Sequence, residues 1–254
     1  MIRLPGAFLS VPIAHRAYHD RTDGRPENSR AAFKAAISAG YGIECDVQMS
    51  KDEKAVVFHD ETLERLTGQT GRVRDLTLDE LTKIRLRNSD ETIPSLPTML
   101  DLVSGQVPLL IEVKDQDGAL GRDVGALERA VARDLKGYSG PVALMSFNPH
   151  SVAALAEAAP RTARGIVTSA YRPEDWPEIP AETRDRLRDI PDYDRVGASF
   201  ISHEADDLAR QRVADLKQEG AAILTWTIRN AGEEQAAREY ADNITFEGYA
   251  ARRP

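Results

Sequence analysis

Two short segments place charged residues at every second position. Glu44-Cys45-Asp46 and Glu112-Val113-Lys114 each sit in an apolar stretch, and in an extended strand residues two apart point to the same face. Glu44 and Asp46 would then share a face, with Glu112 and the base Lys114 repeating the spacing on a second strand. Crowding three buried carboxylates is strongly unfavourable unless positive charge compensates them, and an all-oxygen donor set suits a hard Mg²⁺ or Ca²⁺ ion better than zinc. Either pair alone reads better as a salt-bridged rim; taken together, Glu44, Asp46 and Glu112 point to one divalent cation. His15-Arg16 closes the apolar run Pro12-Ile13-Ala14. An imidazole passes protons near neutral pH, and a guanidinium offers a planar fork to phosphate oxygens. A lone His-Arg pair is also what a solvated loop looks like, so by itself it decides little. Cys45, between the two acids, alternates to the opposite face and reads as packing.

These groups need strands to carry them. Apolar runs recur at 11–15, 42–47, 108–113, 141–146, 164–168, 196–202, 222–227 and 243–246. Helical segments separate most of them, the alternation of a parallel (β/α)8 barrel. Asn28 and Ser29 precede a helix over Arg30–Ala39 with Gly40 as its stop, Thr77-Leu-Asp-Glu80 has the form of a capping box, and Asn148-Pro149 opens an alanine-rich helix that ends near Pro160. A ninth run, Ala55-Val56-Val57-Phe58, follows Val47 after only seven residues. A parallel crossover needs a dozen or more, so this run must return as an antiparallel hairpin. A turn centred on Asp52-Glu53 sets His59 opposite Asp46. From about Glu61 to Gly105 the chain is charged and turn-rich, with one helix near Asp79–Leu86, and reads as an excursion inserted on the rim after the second strand's hairpin. In a barrel the C-terminal strand ends form the active face, and His15 falls there.

Composition bounds the rest. A length of 254 residues matches one (β/α)8 barrel, which typically takes about 250, so residues 1–254 are expected to form a single domain. The net charge of −8, without a Lys/Arg run, argues against a nucleic-acid partner. An anionic substrate must therefore be met by local positive charge. One cysteine cannot form an internal disulfide, which fits a cytoplasmic address. No apolar run approaches the roughly 18 residues of a membrane span, and Met1 to Val11 lacks an apolar signal core, so membrane insertion is not expected. A homo-oligomer stays open.

Several strings appear in an order that resembles the glycerophosphodiester phosphodiesterase family. They are Ile13-Ala-His-Arg16, Pro26-Glu-Asn-Ser29, Glu44-Cys-Asp-Val47, Val56-Val-Phe-His-Asp60, Leu110-Ile-Glu-Val-Lys114, Ser146-Phe147 and Thr225-Trp-Thr227. The resemblance implies a TIM barrel that hydrolyses a small phosphodiester, with Glu44, Asp46 and Glu112 as ligands of the divalent cation. It also implies His15 and His59 as the acid–base pair, Arg16 and Lys114 near the phosphate, and Phe147 and Trp226 as walls against the substrate. Glu27 and Asn28 match the family's Pro-Glu-Asn string. Three departures stand out: Ala17 replaces the glycine usual after His-Arg, Asp52-Glu53 replaces an Asp-Gly turn, and Thr245-Phe246-Glu247-Gly248 replaces a Thr-Asp-Arg/Lys-Pro ending. A left-handed backbone at Ala17 would be strained. His19, His150 and His203 have no motif partner and read as surface or structural. Two rival readings share the scaffold: a non-catalytic phosphoglycerol-binding protein, and a phospholipase-like lyase releasing a cyclic phosphate. Head group, metal identity, the division of acid and base, and water or substrate hydroxyl as nucleophile stay open.

Overall fold

The structure is a computed structural model and describes residues 2–253. Among these residues nine strands occur in chain order: β1 (Ile13–Ala14), β2 (Gly42–Met49), β3 (Ala55–Val57), β4 (Leu109–Val113), β5 (Val142–Ser146), β6 (Ala163–Thr168), β7 (Phe200–Glu204), β8 (Ala222–Ile228) and β9 (Asn243–Phe246). All but β3 are parallel and run β1-β9-β8-β7-β6-β5-β4-β2, with β1 pairing β2 to close the ring. This is the expected (β/α)8 barrel. Each apolar run of the sequence overlaps its strand, though β2, β6, β7 and β8 extend past the expected bounds by one or two residues; β7 also starts later than expected, after Gly197 takes a left-handed turn at φ 60°.

Among the described residues ten α-helices precede, follow or separate the strands: α1 (Ala7–Ser10), α2 (Arg30–Ala39), α3 (Glu64–Thr67), α4 (Leu78–Leu81), α5 (Leu96–Val103), α6 (Ala126–Asp134), α7 (Pro149–Ala158), α8 (Ala181–Arg188), α9 (Gln211–Gln218) and α10 (Ala231–Ala237). The caps follow the local chemistry. Ser29 accepts from Ala32 N–H to start α2, Gly40 ends it at φ 72°, and Asn148 starts α7 with Pro149 at its first turn. Strand alternation divides the apolar residues. Ile13, Leu110, Ala143, Met145, Val167, Phe200 and Leu224 fill the barrel, whose lower end receives Phe8 and Leu4 from the N-terminal segment. Ile43, Cys45, Val47, Ile111 and Val113 face outward onto the helices.

The excursion has a core of its own, in which Phe58, Leu63, Leu66, Val73, Leu81, Ile84, Leu86 and Ile93 pack with Val56. It closes at Ser95 rather than Gly105, because α5 carries Leu96, Met99, Leu100 and Val103 into the helix layer of the barrel. The helix expected near Asp79–Leu86 is only the single turn of α4, with its Thr77–Glu80 capping box. Beyond Leu81 the chain doubles back instead, Leu86 N–H donating to Glu91 O and Ile93 N–H to Ile84 O.

The hairpin differs from expectation by one place. β2 and β3 pair Val47 with Val57, Gln48 with Val56 and Met49 with Ala55, which sets Phe58, not His59, across from Asp46. The turn is centred on Asp52 because Glu53 takes φ 54° as an extra left-handed residue, with Glu53 N–H donating to Ser50 O and Ser50 N–H to Lys54 O. β3 ends at Val57, so strict alternation no longer governs where His59 points.

Candidate active site

β2 and β4 are in parallel register, pairing Glu44 with Leu110 and Asp46 with Glu112. Inward alternation therefore stacks the three acids at the upper end of the barrel, each buried, with one oxygen from each within 4.8 Å of the others. Lys114, just past β4, sets Nζ 2.9 Å from Asp46 Oδ1 and 2.6 Å from Glu112 Oε1. Burial works against ionisation of Asp46, yet Lys114, His59 and Arg16 outweigh it and hold the carboxyl well below the usual range. Burial would likewise lower Lys114, but Asp46 and Glu112 keep it firmly cationic. Glu44 is the outlier. Burial, then the charges of Asp46 and Glu112, push its pKa well above the ordinary value. Its Oε2 accepts from Arg16 N–H at 2.7 Å, whereas Oε1 is buried with no hydrogen-bond partner among the described residues. One ammonium against three carboxyls leaves an orphaned carboxylate oxygen, and an all-oxygen cluster of this kind fits a hard divalent cation.

The backbone after β1 bends sharply to reach this cluster. Arg16 and Ala17 both take left-handed conformations, φ 50° and 64°. The turn aims Arg16 N–H at the Glu44 carboxylate and Ala17 N–H at Glu44 O, 2.9 Å away. The strain anticipated at Ala17 is therefore present, stored beside the acids. The Arg16 guanidinium lies between Glu27 Oε1 at 2.8 Å and Asp46 Oδ2 at 3.6 Å. Asn28, itself left-handed at φ 58°, donates its side-chain amide to Asp46 Oδ2 at 2.9 Å and leaves the helix cap to Ser29.

His59 reaches the rim from the excursion. Gln48 Nε2 donates to its carbonyl at 3.1 Å, and its Nδ1 lies 2.7 Å from Asp60 Oδ1. Arg65, on α3, grips Asp60 through Nε and Nη2, and reaches Glu27 through Nη1 and Nη2, all at 2.7 to 2.8 Å. Burial opposes the ionisation of Glu27, but the hydrogen bond from Arg65 and the charge of Arg16 bring it down to about 2. Sequence reasoning missed Arg65, which is one of five arginines in the charged, turn-rich stretch 61–105 and carries no local signal that sets it apart.

His15 stands on the other side, just past β1, its N–H donating to Phe246 O at 2.8 Å. Its Nδ1 is 2.7 Å from Glu247 Oε2, and burial lowers its pKa despite that carboxylate, which favours the neutral ring. His19, read as a surface or structural residue, lies 3.5 Å from the same oxygen. His203 is buried between Thr168 Oγ1 at 2.8 Å and Asp207 O at 3.2 Å, a structural position. Phe147 follows β5 and Trp226 belongs to β8; their rings meet edge-on at 5.5 Å. Trp176, which the sequence reading passed over, extends this wall, 5.0 Å from Phe147 and 5.2 Å from Tyr171.

Comparison with known proteins bears on the family and the fold. The glycerophosphoryl diester phosphodiesterase family model matches residues 15–244. YhdW of Bacillus subtilis strain 168 is 28% identical over 254 residues, covering 93% of this chain and 97% of its own length. The glycerophosphodiester phosphodiesterase of Caldanaerobacter subterraneus subsp. tengcongensis is 33% identical over 176 residues, 66% of this chain and 70% of that protein. Among solved structures, an Oleispira antarctica phosphodiesterase in complex with the product sn-glycerol-3-phosphate shares the fold, with a TM-score of 0.75 at 24% identity over 93% of both chains. Since the family match spans the barrel almost from end to end, the chain belongs to the glycerophosphoryl diester phosphodiesterase family and is a phosphoric diester hydrolase.

Proposed function

We propose that the chain, acting as one catalytic domain, hydrolyses glycerophosphodiesters to glycerol phosphate and an alcohol, with His15 and His59 as its acid–base pair. The observation that carries this reading is the convergence of Glu44, Asp46 and Glu112, with His15 and His59, each against a carboxylate of its own, both within electrostatic reach of Asp46. A divalent cation held by these three acids, Mg²⁺ or Ca²⁺, supplies charge neutralisation for the phosphate's non-bridging oxygens. Arg16 adds a fixed positive charge, and Lys114 a second one, so the phosphate meets local cations despite the acidic chain. His15 enters neutral and takes the nucleophile's proton at Nε2; His59, with Nδ1 held by Asp60, delivers a proton from Nε2 to the leaving alkoxide. Phe147, Trp226 and Trp176 line the side on which an alcohol group can rest. Among the described residues no helix is long and apolar enough to cross a membrane.

The test is phosphorus NMR of products from glycerophosphocholine, with added Mg²⁺ or Ca²⁺ and with excess chelator. Linear glycerol phosphate, formed only with the ion, is the expected outcome. A cyclic phosphate as end product would replace hydrolysis by attack of the substrate's own hydroxyl, and full turnover in chelator would remove the cation from the reading.

A further inference from the structure

The Thr245-Phe246-Glu247-Gly248 segment departs from the family's usual ending, and the departure brings a carboxylate to His15. β1 and β9 are parallel neighbours and Glu247 is the first residue past β9, so two residues 232 apart in sequence meet at 2.7 Å. The carboxylate is itself held. Its own N–H donates to Ile228 O at 2.9 Å, Arg229 Nε donates to Oε1 at 3.1 Å, and Phe246 beneath it is wedged among Tyr18, Tyr41 and Tyr249. The hydrogen bond from His15, the nearby His19 and the charge of Arg229 keep it ionised against the effect of burial. An ionised carboxylate only accepts, so the imidazole must present Nδ1–H to it, and the neutral ring then carries its lone pair on Nε2. Among the described residues none hydrogen-bonds to that Nε2.

We propose that Glu247 is a positioning residue for the reaction: it holds His15 in the Nδ1–H tautomer and stabilises the imidazolium formed when Nε2 accepts the nucleophile's proton. The proton stays on the ring until product forms; Nδ1–H remains hydrogen-bonded to Glu247, and no proton passes to the carboxylate. Arg229 anchors Glu247 from the far side and His19 borders it. The inference rests on the reading of His15 as the base.

The experiment compares Glu247→Ala, Glu247→Gln and His15→Ala in the cation-loaded enzyme, with steady-state kinetics on glycerophosphocholine and ¹⁵N NMR of the histidine rings. Glu247→Ala is expected to lower kcat by about 10- to 100-fold with KM little changed, less than the ~10⁴-fold loss that a wholly wrong tautomer can cause in a catalytic histidine. It should also move the His15 nitrogens toward a tautomer mixture. Glu247→Gln should fall between it and the wild type, since an amide oxygen accepts Nδ1–H but carries no charge. Wild-type kcat and unmoved His15 nitrogens in Glu247→Ala, beside an inactive His15→Ala, would overturn the proposal and leave the base assignment standing. A raised KM with unchanged kcat would overturn it too, by making Glu247 a substrate contact. Near-normal turnover in His15→Ala would remove the base assignment and the proposal together.

Discussion

The two histidines of the site are supported in opposite ways. His15 is held by the barrel: its backbone pairs with β9, its ring meets Glu247, and its surroundings are the closed strands β1, β8 and β9. His59 is held by the excursion: its ring meets Asp60, Asp60 is gripped by Arg65 on α3, and α3 rests on a small core separate from that of the barrel. The chain of contacts Asp60–Arg65–Glu27–Arg16 then ties the excursion back to β1. One half of the proposed acid–base pair thus rests on the closed barrel, while the other rests on a local unit with a core of its own, which is expected to open at lower cost than the whole fold. Catalysis and global stability need not fall together.

The largest effect tests whether both halves matter equally. His15→Ala and His59→Ala are each expected to lower kcat by about 10²-fold or more, as general acid or base catalysis is typically worth ~10²–10⁴, while substrate and cation still bind. Near-normal steady-state turnover in either would break the comparison at its root. Next come the two cores. Leu81→Ala in the excursion and Ile223→Ala in the barrel both remove a fully buried side chain, at about 2–5 kcal/mol each. The first should reduce activity and expose residues 58–95 to proteolysis at temperatures where circular dichroism still shows a folded barrel. The second should lower the melting temperature and leave kcat below it unchanged.

The tie between the halves has a pH dependence with a definite sign. Glu27 falls from 4.5 to about 2 on folding, a displacement worth about 3 kcal/mol. Because the folded value is depressed, this stabilisation is complete above about pH 4.5 and is lost as pH falls through 2. Glu27→Gln should lack that loss, so its stability, followed by urea denaturation between pH 5 and 2, should decline less steeply than that of the wild type. The smallest effect concerns the bend after β1. Ala17→Gly relieves a left-handed cost of ~1–2 kcal/mol but gives up a buried methyl worth ~0.8, so a gain of up to about 1 kcal/mol is expected, read from the denaturation midpoint with activity retained.

Period-two alternation made the shared face of Glu44 and Asp46 legible, and the apolar runs located all eight barrel strands, because both depend on local pattern alone. The hairpin register was off by one place since Glu53 adopts a left-handed conformation that only glycine or asparagine would have advertised. Arg65, Glu247 and Trp176 were invisible for a different reason. Each meets its partner through tertiary closure: Glu247 lies 232 residues from His15, and Arg65 lies 38 from Glu27. Nothing in the local pattern around Arg65 or Glu247 distinguishes either from solvated surface charge. Asn28 was half legible: its Pro-Glu-Asn setting marked a helix start, but the side chain serves Asp46 instead.

Cys45 sits between Glu44 and Asp46 on β2, points into the helix layer, is fully buried, and is the chain's one thiol. Burial, then the acids beside it, raise its pKa well above the ordinary value, so in the folded protein it is an unreactive thiol. A thiol reagent can modify it only when the strand bearing two of the three acids comes open. Its labelling rate is thus a clock for that opening, in the native protein and without an added probe. Any ion that β2 helps to hold should slow the clock in proportion to its binding, so affinity at the barrel mouth can be weighed with no turnover at all.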